Sequence, residues 1–206
     1  MNKSVTAIVL RSEEYRDYDK RLKLFTEEGE VLRVVIRGVK KPSAKLRFAA
    51  QPFAFCNYEL SGKGDSYVVT GAMAIEDLFR VSDYDVFSAG CIMLEAAEKT
   101  CEVQPNPQLF VLLLKRLKTL LYGNLNPLLP AISYIQNAIH KSGYAYVYDA
   151  PKANPTTVME LLACTENLDT QFSADDLLIK RTFAKIAARF EDKFSCALAG
   201  KSFIIA

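Results

Sequence analysis

Through the first 78 residues apolar side chains tend to recur at every second position, in short runs parted by charged or glycine-bearing turns. A period of two is the repeat of a strand with one buried face, and a helix would scatter such residues around its circumference. Five strands are expected, over about 5–10, 21–26, 31–39, 53–60 and 67–78. The third is the clearest, with Leu32, Val34 and Ile36 facing one way and Arg33, Val35 and Arg37 the other. Glu27-Glu28-Gly29-Glu30 reads as the hairpin turn before it, and Ser61-Gly62-Lys63-Gly64-Asp65 as the turn between the fourth and fifth strands. Five short strands without a βαβ rhythm point to a small closed barrel, for which the OB-fold is the commonest solution; an SH3-like barrel or a sandwich stays open.

After Arg80 the repeat lengthens and helix ends become readable. Ser82-Asp83-Tyr84-Asp85 has capping-box spacing and opens a helix expected to reach about Glu102. Asn106-Pro107, Asn126-Pro127 and Asn154-Pro155 each set an N-cap residue before a proline whose missing N–H is harmless at the first helical position. The first two of those helices should stop near Tyr122-Gly123 and Ser142-Gly143. A last long helix is expected from Ser173-Ala174-Asp175-Asp176 to about Phe194, and 144–153 reads as irregular. No repeat or flexible linker is visible. The expected architecture is α+β, a barrel domain over 1–80 packed on a helical domain over 81–206.

With 206 residues, half of them apolar, the chain has ample material for a core. Its apolar runs fall short of the roughly 20 residues of a membrane span. The first residues lack the apolar stretch of a signal peptide, so no membrane partner and a cytoplasmic location are expected. Cys56, Cys91, Cys101, Cys164 and Cys196 are odd in number, widely spaced and free of any C-x-x-C pair, as suits buried thiols in a reducing compartment. Charge is uneven: residues 1–80 hold 14 Lys and Arg against 11 Asp and Glu, while 81–206 hold 12 against 13.

Enzyme signatures are missing. The chain has no G-x-x-x-x-G-K-[ST], G-x-S-x-G or H-E-x-x-H. Its one histidine, His140, falls near a helix end, where it suits the helix dipole. Asp17 with Asp19, and Asp83 with Asp85, are the closest carboxylate pairs; the second reads as helix capping and the first as a turn flanked by Arg16, Lys20 and Arg21. A Mg-dependent nuclease built on Asp17 and Asp19 is therefore a lesser alternative, and no catalytic residue, metal or cofactor is expected.

The stretch 33–47 carries Arg33, Arg37, Lys40, Lys41, Lys45 and Arg47 without one acid. Two arginines on one strand face and four cations on the loop leaving it make a positive track suited to a phosphate backbone. Six contacts to a single strand would give a log–log salt slope of about −4, at roughly −0.7 per phosphate. Phe48, and Tyr15 or Tyr18 on the preceding loop, offer rings for base stacking, with core packing the favoured expectation for Phe48. Such a surface grips without reading sequence. An interaction adaptor whose patch docks an acidic protein tail is the alternative. A second candidate surface is the helix from Pro107, where Phe110, Leu113, Leu114, Leu117, Leu120 and Leu121 form an apolar arc. Lys115, Arg116 and Lys118, with Thr119, fall on the opposite arc and suit an acidic, hydrophobic-ended partner peptide.

Four stretches taken in order resemble the RecO family of bacterial recombination mediators. They are Ala7 to Arg11, Tyr15 to Leu22 running on through Leu24 to Gly29, Arg37 to Arg47, and Gln51-Pro52-Phe53. The likeness covers about the first 60 residues and weakens through the helices to about Gly123. It implies an N-terminal OB-fold, a helical C-terminal domain and a non-enzymatic role in recombinational DNA repair. Such proteins bind single- and double-stranded DNA, anneal complementary strands, and work with RecR and the single-strand-binding protein, through its acidic tail, to load RecA. By this resemblance the chain would sit with the bacterial nucleoid, and Arg37, Lys40, Lys41, Lys45 and Arg47 match the family's DNA-binding positions. Arg33 is added by strand geometry alone. Many relatives carry a C-terminal zinc site of paired cysteines, a pattern this chain lacks after Gly123, so zinc is not expected.

Overall fold

The computed structural model describes residues 2–63, 66–78, 83–144, 147, 148, 150–168 and 171–201. Strands β1 (Asn2–Tyr15), β2 (Asp19–Thr26), β3 (Val31–Ile36), β4 (Ala54–Lys63) and β5 (Ser66–Asp77) close into a barrel in the order β1-β2-β3-β5-β4. All neighbours are antiparallel except β3 and β5, which run parallel over Val34 to Ile36 against Tyr67 to Val69. This is the OB-fold topology anticipated from the strand count. Alternation supplies the core: Val5, Ala7, Val9, Leu22, Leu24, Val34, Ile36, Tyr58, Leu60 and Val69 all point inward and are at most 5% exposed.

The strands outrun their sequence-based limits at half of their ends. β1 continues through a bulge at Leu10 to Tyr15, and β4 and β5 stay paired as far as Lys63 opposite Ser66. Gly64 and Asp65 of the expected turn lie outside the described residues. β3 falls furthest short, stopping at Ile36 instead of 39, because Gly38 adopts φ +64° and turns its N–H away to Asp19; β4 starts at Ala54 and β5 ends at Asp77, each one residue inside its expected limit. The Glu27 to Glu30 hairpin forms as expected, with Thr26 N–H donating to Glu30 O at 2.9 Å. Its Gly29 has φ +83°, and a Cβ there would fall 2.3 Å from the Asn106 carbonyl carbon, so only glycine fits.

The chain divides into two compact units, one of Met1–Arg80 with Cys101–Val111, the other of Val81–Thr100 with Leu112–Ala206. In the first, Phe110 packs edge-on to Phe25 at 5.5 Å between ring centroids. The helices are α1 (Tyr84–Cys101), α2 (Pro107–Tyr122), α3 (Leu128–Lys141), α4 (Val158–Thr165) and α5 (Asp176–Phe194). In the second unit α3 is the buried centre, contacting both α4 and α5. None of the helices searched is long and apolar enough to cross a membrane.

The caps decide where helices begin. Asn106 accepts from Leu109 N–H and Asn126 from Leu128 N–H, as the Asn-Pro signals predict. Asp83 accepts from Asp85 and Val86 N–H at the start of α1, while Ser82 lies outside the described residues. Two expectations are corrected. Asn154-Pro155 starts no helix; α4 opens three residues later on a reciprocal capping box between Thr157 and Glu160, a T-x-x-E signal that satisfies two backbone donors. The last helix is capped by Asp175, accepting from Leu178 N–H at 2.7 Å, and not by Ser173. Glu160 holds its carboxyl down at about 2 through hydrogen bonds from Lys152, then Thr156.

Candidate nucleic-acid interface

On leaving β3 the chain folds back onto the turn between β1 and β2. Gly38 N–H donates to Asp19 Oδ1 at 2.8 Å, and Lys40 N–H to Tyr18 O at 3.1 Å. Between them Val39 plugs into the barrel core at 3% exposure, so the neighbouring Arg37 and Lys40 side chains stand out in solvent. Tight turns follow, with Lys41 N–H donating to Gly38 O and Ala44 N–H to Lys41 O. The loop ends in a 3-10 helix, Arg47–Ala50, fastened to the barrel by Tyr58, whose hydroxyl donates to Ala49 O at 2.9 Å. Burial pushes the Tyr58 phenol far above its ordinary range, so it stays a donor.

Docking of loop on turn gathers cations that are distant in sequence. Lys41 Nζ lies 5.4 Å from the Tyr18 ring centroid, and the Arg16 and Arg21 guanidinium carbons lie 5.1 and 4.6 Å from that of Tyr15. Lys40 forms an exposed ion pair with Glu14, and its hydrogen bond holds the Glu14 carboxyl below the usual range. Arg37 and Lys45 are exposed and have no partner among the described residues. Arg47 is turned inward on its own loop, donating from Nη2 to Lys41 O at 2.9 Å and to Pro42 O at 3.2 Å. Of the six cations named from sequence, five are thus drawn together on one loop. One of those five braces the loop itself.

The sixth, Arg33, stands apart on the outer face of the sheet. Pairing register sets Arg11 opposite Lys23 and Lys23 opposite Arg33, a row of cations across three strands. Glu102 closes on this row, one oxygen accepting from Lys23 Nζ at 2.7 Å and from Arg33 Nη2 at 3.1 Å. Partial burial opposes ionisation of Glu102, and the Lys23 and Arg33 hydrogen bonds outweigh it, holding the carboxyl below its ordinary range. Lys23 and Arg21 were not selected as site residues from the sequence; their register opposite Arg33 and Val35 needed the strand pairing.

Other expectations shift. Phe48, expected in the core, is 46% exposed and lines an apolar groove of about 320 Å³ with Ala54, Phe55 and Ala74. Its place in the core is taken by Ala49 and Ala50, since a single helical turn can bury only one side. On α2, Lys115 and Lys118 are exposed but Arg116 is buried, at 2% exposure. Its guanidinium donates to Asn167 O at 2.8 Å and Glu166 O at 3.3 Å, where Asn137 also donates, capping the carbonyls at the end of α4. Arg116 therefore does not belong to the outer face expected of it, which keeps Lys115 and Lys118.

Asp19 accepts from the backbone of Gly38, and Asp83 caps α1, so both acidic pairs contain a structural member. His140 Nδ1 lies 3.4 Å from Glu166 Oε1. The Cys164 thiol donates to Lys152 O. Among the described residues no three His, Cys, Asp or Glu gather as metal ligands.

Residues 1–77, the whole barrel, match the family model described as "Recombination protein O N terminal". Proteins named "DNA repair protein RecO" align over two thirds of the chain. That of Thermobifida fusca is 31% identical over 142 residues, covering 67% of this chain and 58% of the relative. That of Desulfitobacterium hafniense is 32% identical over 141 residues, covering 67% and 50%. A Nocardioides relative is 28% identical over 143 residues, covering 68% and 59%. The chain thus spans about half to three fifths of the length of these relatives. Barrel topology, the match across it and the identity beyond it agree: the chain belongs to the RecO family.

Proposed function

We propose that this chain is a non-enzymatic DNA-binding mediator of recombinational repair, gripping single- and double-stranded DNA with the loop 37–47 and the β1–β2 turn beneath it. The observation that carries this reading is the pinning of that loop onto that turn by Asp19 and Tyr18, which brings Arg37, Lys40 and Lys41 beside Arg16, Arg21 and two tyrosine rings. Cations alone would attract any polyanion. Cations interleaved with rings suit a strand whose phosphates and bases alternate. With Arg33 held by Glu102 and Arg47 spent on its own loop, four loop cations remain, and the single-strand salt slope falls from about −4 to about −3.

Annealing follows from the same charge. Two strands repel, and a surface that neutralises both lowers the cost of bringing them together; neither proton transfer nor cofactor is required. The family resemblance adds RecR and the single-strand-binding protein as partners and RecA loading as the outcome, as parts of the same proposal.

The test is anisotropy of a labelled oligothymidylate at several salt concentrations, for the parent chain and for the K40E/K41E/K45E triple variant. The variant is expected to keep its circular dichroism and lose binding at least a hundredfold. A folded triple variant with parental affinity would refute the assignment. Incubation with DNA and Mg²⁺ should leave the DNA uncut; cleavage would restore the nuclease reading built on Asp17 and Asp19.

A further inference from the structure

Cross-strand register sets Arg11, Lys23 and Arg33 side by side on the outer face of β1, β2 and β3. Like charges directly opposite one another on a sheet are destabilising, so a row of three calls for a counter-ion. Glu102 is that counter-ion for two of them, and it meets both through a single oxygen, Oε1. It comes from the segment Cys101–Val111, which the barrel unit holds by the hydrogen bond from Asn106 N–H to Gly29 O and by Phe110 against Phe25. Beside it lies an open polar groove of about 220 Å³ lined by Arg11, Glu13, Arg21, Lys23 and Arg33. Arg33 keeps 67% of its side chain exposed while bonded, so an incoming anion can approach it from solvent.

One oxygen shared between an ammonium and a guanidinium is the arrangement a phosphodiester oxygen takes, and a phosphate has a second free oxygen to offer Arg11. We propose that Lys23 and Arg33 form a phosphodiester-binding subsite on the strand face, whose oxyanion seat Glu102 occupies until a nucleic-acid strand displaces it. The inference rests on the DNA-binding reading above and extends it to a surface separate from the loop. Glu102 then sets a threshold: a strand must exchange a carboxylate for a phosphate at this seat, and isolated anions compete poorly with a tethered one.

The same titration, on the full chain, separates the two claims. Glu102→Gln keeps the side-chain size but removes the competing charge, and is expected to tighten oligothymidylate binding about tenfold at low salt and to steepen the log–log slope by about 0.7, one phosphate's worth. Arg33→Gln should weaken binding and flatten the slope by about 0.7, which keeps the test decisive if the Glu102 variant fails to fold. If the K40E/K41E/K45E variant loses binding while folded Glu102→Gln or Arg33→Gln matches the parent, the subsite is wrong and the loop assignment stands. If the triple variant and Arg33→Gln both bind like the parent, the DNA-binding reading itself fails.

Discussion

Loop 37–47 and the cationic turn of α2 are both rich in lysine and arginine, yet the fold puts them to opposite uses. On the loop, tight turns engage the Gly38 and Lys41 carbonyls, and Arg37, Lys40, Lys41 and Lys45 are left exposed. Beside α2, the carbonyls of Glu166 and Asn167 mark the end of α4, where no further helical N–H arrives. They draw Arg116 into the interior at 2% exposure. A cation's use is therefore decided by the backbone acceptors within its reach as much as by its neighbours in sequence. Arg47 is the intermediate case, exposed to water but bonded to its own loop.

The largest effect that contrast predicts is at Arg116. Arg116→Met should destabilise the helical unit by about 2–3 kcal/mol, because buried carbonyls lose a charged donor, and should leave oligonucleotide affinity unchanged. Denaturant unfolding and anisotropy on one preparation check both halves. A stable variant with weakened DNA binding would break the contrast.

The two ends of α4 sharpen it further. At the start, Glu160 is held at about 2 by its hydrogen bonds, foremost from Lys152. Because that value lies below the ordinary 4.5, the contribution is present above 4.5 and is lost as pH falls through about 2. At the other end Arg116 stays charged throughout. Hydrogen exchange should show the amides of Thr157 and Glu160 losing protection over that window while the end of α4 keeps its own. Equal loss at both ends would count against the assignment of the caps.

The smallest effect belongs to the unbraced cations. Arg37→Ala and Lys45→Ala should each change stability by less than about 0.5 kcal/mol. Each should also flatten the salt slope by about 0.7. A Tm shift comparable to that of Arg116→Met would show that they too are braces.

Periodicity made the barrel legible. Leu32, Val34 and Ile36 alternate with Arg33 and Val35 as expected, and strand number and order follow. The ends of elements were harder where two signals competed. Asn154-Pro155 has good helix-start chemistry, but Thr157 with Glu160 satisfies two donors at once and wins. In the candidate site, the cation run was visible as composition. Its partition into exposed, braced and ion-paired members was not, since Glu102 lies 69 residues from Arg33 and the Asp19 acceptor 19 from Gly38. Arg116 shows the same limit: expected opposite the leucines, it stands three residues after Leu113 and four before Leu120, on the buried stripe of α2, while Lys115 and Lys118 keep to the exposed side.

The parallel seam between β3 and β5 holds only three residue pairs before the chain departs. A seam so brief leaves the rest of the barrel to antiparallel ladders and frees the backbone after Ile36 to wander. Had the zipper run two residues further, Arg37 and Gly38 would have been woven into the cloth. Val39 could not then have served as a tether, and the cations around it would have alternated across the sheet. Brevity of pairing at one edge is thus what gives this barrel its basic overhang, and variants that lengthen the pairing should trade that overhang for a stiffer wall.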